Sequence, residues 1–531
     1  MALKLFDNPV VTKELRSRMR GSRAYWVLFA YLSILSLALF LSYLAWWNQH
    51  NNSSQMGGVA VSFTAGRQFF MVLFVVQAIL ISLIMPALTS GGISIEREQR
   101  TFELLRSTTL PSRSIVLGKL FSSLSFVGLL LTASLPLISV CFLLGGVAPE
   151  QVLVTYVLLL VDALVYGAVG LAWSASAAST AASTALAYGS LILYFIVTVP
   201  FAVNGMSRMF VGSSSISLSA LNPVGAIVGA EQEMYYAWPM PAWAPAIIIN
   251  GLLAVLAMVL TTARISDEPQ TKAPIVKLSL FVFVAATLFF INGSPLMASS
   301  PGSGSLALAV AALIAVCLFV PPFVTGDAII ADDHPRPTSI LGRLFNSPDL
   351  RSGLPTALLL TAMIAGIAAW SFHLWRATFS VTTLDEHVPA WTAITLLGIT
   401  LGLSGFGKLL SVWLNNRWTA RVGVYVFATL AMVVPYISYA NPTYINGVPV
   451  HTAADNWLYL CPLVSFQQMC YDTTGGGFSL VSAQPYLAFA NTAPDWLVTT
   501  VIYSGAGVLC FAMASLIAMR RRSKSPIVPT P

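Results

Sequence analysis

Residues 68–89 read QFFMVLFVVQAILISLIMPALT, an uninterrupted run of 22 residues in which no side chain is charged. A helix needs about 20 such residues to cross the hydrocarbon core of a bilayer. Similar runs recur along the chain, and they predict spans at 27–46, 68–89, 120–144, 153–173, 180–202, 242–263, 278–293, 304–326, 355–375, 390–412, 422–438 and 496–519. The sequence therefore predicts an all-α integral membrane protein with about twelve transmembrane helices.

The composition excludes an ordinary soluble domain. Of 531 residues, 56% are hydrophobic and only 9% are charged, against about 25% charged in soluble proteins. The net charge is +7, but the basic residues lie at the ends of apolar runs, so we expect a lipid bilayer and not nucleic acid as the partner.

The distribution of Lys and Arg predicts the orientation. If the N-terminus is cytoplasmic, the cytoplasmic segments hold 24 of the 27 basic residues, and only Arg67, Arg208 and Arg376 lie outside. Cytoplasmic loops of membrane proteins carry such an excess. We therefore expect both termini in the cytoplasm and a location in the cytoplasmic (plasma) membrane.

Two long outside loops, about 203–241 and 439–495, precede the sixth and the twelfth predicted span. This recurrence allows a division into two six-helix units, near 1–268 and 269–531. Whether one chain forms a complete transmembrane pathway, or two copies must pair, stays open.

The segment 8–23 precedes the first span and predicts a helix on the membrane surface. Asn8 can cap this helix with Pro9 in its first position. Val11, Leu15 and Met19 recur every four residues and form an apolar stripe. The basic face comprises Lys13, Arg16, Arg20 and Arg23. This pattern is typical of an amphipathic interfacial helix.

The segment 93–112 lies between the second and third spans and predicts a short charged helix. Glu96 and Arg100 have the spacing of a favourable i,i+4 ion pair. Pro111 ends the pattern, because proline disrupts a helix interior. A short charged helix between two spans could transmit movement from a soluble partner, whereas a merely solvated connector is the simpler alternative.

Together these two segments resemble the permease subunits of the ABC-2 superfamily of ATP-binding-cassette transporters. The matching residues are Asn8, Pro9, Lys13, Glu14 and Leu15 in the connecting helix, and Ile93, Glu96, Arg97, Glu98, Thr101, Glu103, Leu104, Leu105 and Ile115–Lys119 after the second span. Arg100 departs from the pattern, because the family usually has Gly there. The motifs cover about the first 120 residues, and the second half matches only in layout.

The resemblance implies a permease subunit of the exporter type, with a separate ATPase subunit that binds ATP and Mg²⁺. It implies that the connecting helix (8–23) and the coupling loop (93–112) contact this subunit. The residues expected at the contact are Lys13, Glu14, Arg16, Glu96, Arg97, Glu98, Thr101, Glu103 and Leu104. The substrate is not readable from the sequence.

No sequence motif predicts that this chain is itself an enzyme or binds a cofactor. Residues 402–409, GLSGFGKL, have phosphate-loop spacing, but Leu409 replaces the Ser or Thr that would hold Mg²⁺, and the stretch lies in an apolar span. The five histidines are scattered and lack metal-ligand spacing, which also argues against a membrane enzyme acting on lipid.

Three further residues are candidates for function. Asp162 is an acidic residue near the middle of a predicted span, where it could line a polar pathway, relay protons, or be hydrogen-bonded to a Ser or Tyr of a neighbouring helix. Cys461 and Cys470 share one outside loop and could form a disulfide. Twelve spans also fit a secondary transporter driven by an ion gradient, which is the alternative function.

Overall fold

The computed structural model describes residues 9–20, 22–51, 58–102, 111–211, 232–235, 238–241, 243–266, 269–293, 301–324, 353–379, 387–414, 416–440, 443–445, 448–450, 461–463, 466 and 495–524. Nearly all of this part of the chain is helical. The chain divides into two compact units, Met1–Glu233 with Met240–Pro269, and Met234–Pro239 with Gln270–Pro531.

The first unit contains eight described helices. They are α1 (Pro9–Met19), α2 (Ser22–Asn51), α3 (Gly58–Thr89), α4 (Ser94–Glu98), α5 (Ser112–Leu144), α6 (Pro149–Ser176), α7 (Thr180–Val211) and α8 (Trp243–Ile265). Proline at the first position of α1 and α6 fits the start of a helix, where its missing N–H leaves no carbonyl unpaired. At the end of α5, Gly145 has φ 85°, a conformation that glycine adopts without steric cost.

The second unit contains seven described helices. They are α9 (Pro269–Gly293), α10 (Pro301–Phe319), α11 (Pro321–Val324), α12 (Gly353–Phe379), α13 (Val388–Leu414), α14 (Arg417–Ala440) and α15 (Asp495–Lys524). Within the stretches that the structure describes, the strands are β1 (Gln232–Tyr235), β2 (Trp238–Pro241), β3 (Thr443–Ile445) and β4 (Val448–Val450). They form two two-stranded sheets, β1 with β2 and β3 with β4, one in each long loop predicted from the sequence.

Among the described residues, nine helices are long and apolar enough to cross a membrane, namely α2, α3, α5, α6, α8, α9, α12, α13 and α15. This confirms a multi-pass, helical membrane protein. The other three predicted spans fall on α7, α10 with α11, and α14. Their described apolar parts, Thr180–Phe195, Ala309–Phe323 and Thr419–Ala431, are shorter than the rest, so twelve spans stay a prediction.

Large apolar side chains cover the outside of these helices. On α2, Tyr25 is 73% exposed, and Trp26 and Phe29 are also largely exposed. On α15, Val508 and Leu509 are exposed as well. Contiguous apolar surface of this kind is rare on soluble monomers, and here it fits contact with lipid chains.

Each unit has its own apolar core. In the first unit, residues such as Leu73, Phe74, Met85, Leu159 and Leu171 are almost completely buried among α3, α5, α6 and α8. In the second unit the core residues include Leu313, Val316, Leu360, Ile364 and Leu396.

Glycine allows α13 and α15 to approach closely in the second unit. A Cβ atom on Gly405 would lie 2.1 Å from the carbonyl oxygen of Gly507, and one on Gly402 would lie 3.0 Å from that of Tyr503. The glycines that resemble a phosphate-binding loop are therefore inside a helix, where they serve the packing of two helix backbones.

Candidate functional site

Helix α1 packs against α5 with one side and exposes the other. Val10 and Val11 are buried, and Glu14 and Leu15 are partly buried. The exposed residues are Thr12, Lys13, Arg16, Ser17, Met19 and Arg20. Of the stripe predicted from the sequence, Val11 and Leu15 face the protein, whereas Met19 is 45% exposed. Contact of α1 with the membrane surface stays a prediction.

The buried side of α1 carries a charged pair. The guanidinium of Arg18 lies 3.8 Å from the Glu14 carboxylate, and its Nη2 donates a hydrogen bond to the carbonyl of Leu88 at 3.0 Å. Burial lowers the pKa of Arg18, and the charge of Glu14 opposes this effect. Arginine remains charged nevertheless. Arg18 therefore fixes α1 to the last turn of α3.

Lys119 joins the two segments that resemble the ABC-2 pattern. Its side chain is almost completely buried in the first turns of α5. Its Nζ donates to Glu14 Oε1 at 3.2 Å and to Glu96 Oε1 at 2.7 Å. Removing one partner from a buried ion pair is costly, because it leaves a charge uncompensated. Lys119 thus links α1, α4 and α5 in one ion-pair cluster.

Helix α4 is anchored to the junction between α6 and α7. The backbone N–H groups of Ile93 and Ser94 both donate to Ser174 Oγ, at 2.9 and 3.0 Å. The guanidinium of Arg97 donates to the carbonyls of Ala175 and Ala177, at 3.2 and 3.3 Å. These carbonyls lie at the end of α6, where no intrahelical donor is left for them. A cation at this end also interacts favourably with the helix dipole.

The start of α7 is capped by the same segment. Glu98 accepts hydrogen bonds from the backbone N–H and from the hydroxyl of Thr180, both at 2.8 Å. A carboxylate is favourable at a helix N-terminus, where the first N–H groups lack partners. The stretch 174–183, which contains only Ser, Ala and Thr, is therefore the place where α4 docks.

Arg100 has a left-handed backbone, with φ 58°. Helix α4 ends at Glu98, two residues earlier. Because α4 ends before Arg100, the helical i,i+4 geometry is absent and the predicted ion pair between Glu96 and Arg100 is not formed. The left-handed conformation accounts for the glycine that the resembling pattern has at this position, since glycine adopts positive φ readily.

The predicted contact residues divide into two sets. Glu14, Glu96 and Arg97 are engaged inside the chain, as described above. Lys13, Arg16, Glu98 and Thr101 are exposed, although Glu98 also caps α7. Glu103 and Leu104 lie outside the described residues. The residues that sequence reasoning did not assign to the site are Arg18, Lys119, Ser174 and Thr180. The position of Lys119, a charged residue at the start of an apolar span, was the feature of the sequence that could have identified it.

The exposed face of α1 borders a hollow of about 630 Å³, lined by Thr12, Lys13, Arg16, Ser17 and Arg20. Three positive charges and two hydroxyl groups can bind an anionic group, such as an acidic side chain of a partner. Within the described residues, no group of three or more His, Cys, Asp or Glu could hold a metal ion.

Two of the other candidates are buried. Asp162 is buried in α6, and Cys461 is buried in the second unit. Cys470 lies outside the described residues, so the disulfide stays a prediction.

Comparisons with known proteins identify no relatives. No model of a known protein family matches the chain, and no curated protein matches it either.

Proposed function

We propose that this chain is the membrane-spanning permease subunit of an ATP-driven ABC transporter of the exporter type. A separate ATPase subunit would bind ATP and Mg²⁺. One observation carries the proposal: Lys119 bonds to both Glu14 and Glu96. The two segments that resemble the ABC-2 pattern, 105 and 23 residues away from their common partner, thus form one unit.

The proposal assigns different roles to the two sets of residues. The exposed residues Lys13, Arg16, Glu98 and Thr101 contact the ATPase subunit, together with Glu103 and Leu104. The internal residues Glu14, Glu96 and Arg97 transmit its movement. Displacement of α4 acts on α5 through Lys119, and on α6 and α7 through their junction. Buried ion pairs suit this role, because they hold elements in one defined arrangement.

The proposal includes twelve spans in two six-helix units, both termini in the cytoplasm, and the cytoplasmic membrane as the location. The three spans beyond the nine long helices are α7, α10 with α11, and α14. The chain provides the transmembrane pathway, and its partner hydrolyses ATP. A second permease copy is compatible with this arrangement.

Purification of the tagged chain from native membranes in mild detergent tests the proposal. We expect an ATP-binding subunit in stoichiometric amount, with ATPase activity in the complex. The double variant Lys13→Glu/Arg16→Glu should lose this subunit, because it reverses exposed charges that form no ion pair among the described residues. The matched control is Arg67→Glu, an exposed charge on α3 that is predicted to lie on the other side of the membrane.

Two results would contradict the proposal. A chain that purifies alone and transports on an ion gradient would be a secondary transporter. A complex that Arg67→Glu disrupts as strongly as the double variant would place the contact elsewhere.

A further inference from the structure

A polar cluster lies among the apolar side chains of α6, α7 and α8 in the first unit. Its acidic member is Asp162, which is only 2% exposed and lies near the middle of α6. Tyr166 follows one turn later on the same helix. Tyr194 comes from α7, and Asn250 comes from α8. An acidic side chain at this depth is rare in membrane proteins and is usually retained for a function.

The neutral members of the cluster are bonded to each other. The Tyr194 hydroxyl donates to Asn250 Oδ1 at 3.3 Å, and Asn250 Nδ2 donates to the carbonyl of Ala246 at 2.9 Å. The rings of Tyr166 and Tyr194 meet edge to face, with centroids 6.5 Å apart. Tyr166 lies four residues after Asp162 on α6, so the two side chains share one face of this helix.

Asp162 itself has no such bond. Among the described residues, its carboxyl group makes no hydrogen bond and no ion pair. The titratable groups that face it are Tyr166 from its own helix and Tyr194 from α7, and α8 contributes only the neutral Asn250. Helices α3 and α5 also pack against α6, but the buried lysine of α5, Lys119, is bonded to Glu14 and Glu96.

An ionised carboxylate in this place requires a positive charge. Transfer of an unpaired charge into an apolar environment is strongly unfavourable, even after the protein relaxes. No cationic side chain of the described residues forms an ion pair with Asp162. A small cation that enters from solution can supply the missing charge.

We propose that Asp162 binds a small monovalent cation, either a proton or Na⁺. A proton forms an O–H bond to one carboxylate oxygen. Na⁺ leaves the carboxylate ionised and binds its oxygen atoms, and the oxygen atoms of Asn250 and the two tyrosines are the proposed further ligands. In both cases the bound cation neutralises the carboxylate. This inference does not depend on the proposed function, because it needs no ATPase partner.

Infrared spectroscopy of the purified full-length chain in lipid nanodiscs tests the site. Spectra are recorded across a pH series, in sodium-free choline buffer and in NaCl. A proton at Asp162 gives a C=O stretching band of a carboxylic acid that decreases as the pH rises and is absent in Asp162→Asn. If Na⁺ is the ligand, NaCl removes this band at constant pH, while choline chloride does not.

The proposal is wrong if no band that depends on Asp162 changes in the wild-type spectrum, either with pH or with NaCl. Tyr194→Phe and Asn250→Ala provide a second measurement if Asp162→Asn does not fold. Each removes one oxygen or one hydrogen bond from the cluster, so each should shift the midpoint of the titration, or the NaCl concentration required, by roughly three- to tenfold. Unchanged midpoints in both variants would also refute the proposed site.

Discussion

At the residue scale, Lys119 has the largest expected effect. Lys119→Met keeps the apolar stem but removes the cation bonded to Glu96 and leaves Glu14 with Arg18 as its cation. Loss of one partner of a buried pair costs about 3–5 kcal/mol. We expect the free energy of unfolding to fall by an amount near the lower limit, because about a fifth of each carboxylate side chain stays exposed. Thermal unfolding in detergent measures the change.

The double variant Glu96→Gln/Lys119→Met is the control for this prediction. It removes one negative and one positive charge and keeps the ion pair of Glu14 with Arg18, so we expect it to recover most of the lost stability. A double variant that is less stable than Lys119→Met would show that the ion pairs are not the reason for the loss.

Arg100 provides a second prediction at this scale. A residue with a Cβ atom costs roughly 1–2 kcal/mol in the left-handed conformation, and glycine avoids most of this cost. Arg100→Gly should therefore be more stable than Arg100→Ala by about 1 kcal/mol. Both variants lose the same charge, so a difference in the melting temperature reports the backbone alone. Equal stability would argue against the left-handed conformation.

At the scale of elements, the packing of α13 on α15 depends on glycine. A methyl group on Gly405 would meet the backbone of Gly507, which cannot rotate away. Overpacking of this kind typically costs about 1–3 kcal/mol, and Gly405→Ala should lower the melting temperature accordingly. Gly366→Ala on α12 is the matched control, because a Cβ atom there meets nothing within 4 Å. Equal melting temperatures of the two variants would show that α13 and α15 do not approach closely.

The sequence predicted the long elements well and their contacts poorly. Apolar runs reveal helices such as α3, because length and hydrophobicity are local properties. The docking of α4 onto Ser174 and Thr180 is not local, since these residues lie about 80 positions away. Small residues in the stretch 174–183 indicated close packing, but not the partner. The charges of Glu96 and Arg97 indicated a surface, whereas the fold uses both side chains internally.

At the scale of the whole molecule, the number of spans determines the positions of the termini. Twelve spans place both ends on one side, whereas the nine long helices of the described residues, if they alone crossed, would place them on opposite sides. We expect a C-terminal fluorescent-protein fusion to fluoresce in the cytoplasm, and the corresponding alkaline phosphatase fusion to be inactive. The reverse result would refute the even number of spans.

A fusion after Ser266 tests α7 separately. If α7 spans the membrane, six spans precede this point, and the fusion reports the cytoplasm. If α7 does not span, the same fusion reports the other side. A phosphatase that is active after Ser266 would therefore restrict the first unit to five spans.

The ion pair between Glu14 and Lys119 has a consequence for biosynthesis. The two residues are 105 positions apart, so at roughly 5–20 residues per second Lys119 is synthesised about 5–20 s after Glu14. During this interval Glu14 can pair only with basic neighbours such as Arg18. The ribosome has then already delivered α2 and α3 to the membrane insertion machinery. The first helix to be translated therefore gains its contact with Lys119 only after α2 and α3 have been synthesised, and a nascent chain stalled before residue 119 should leave it more accessible to protease than the full chain does.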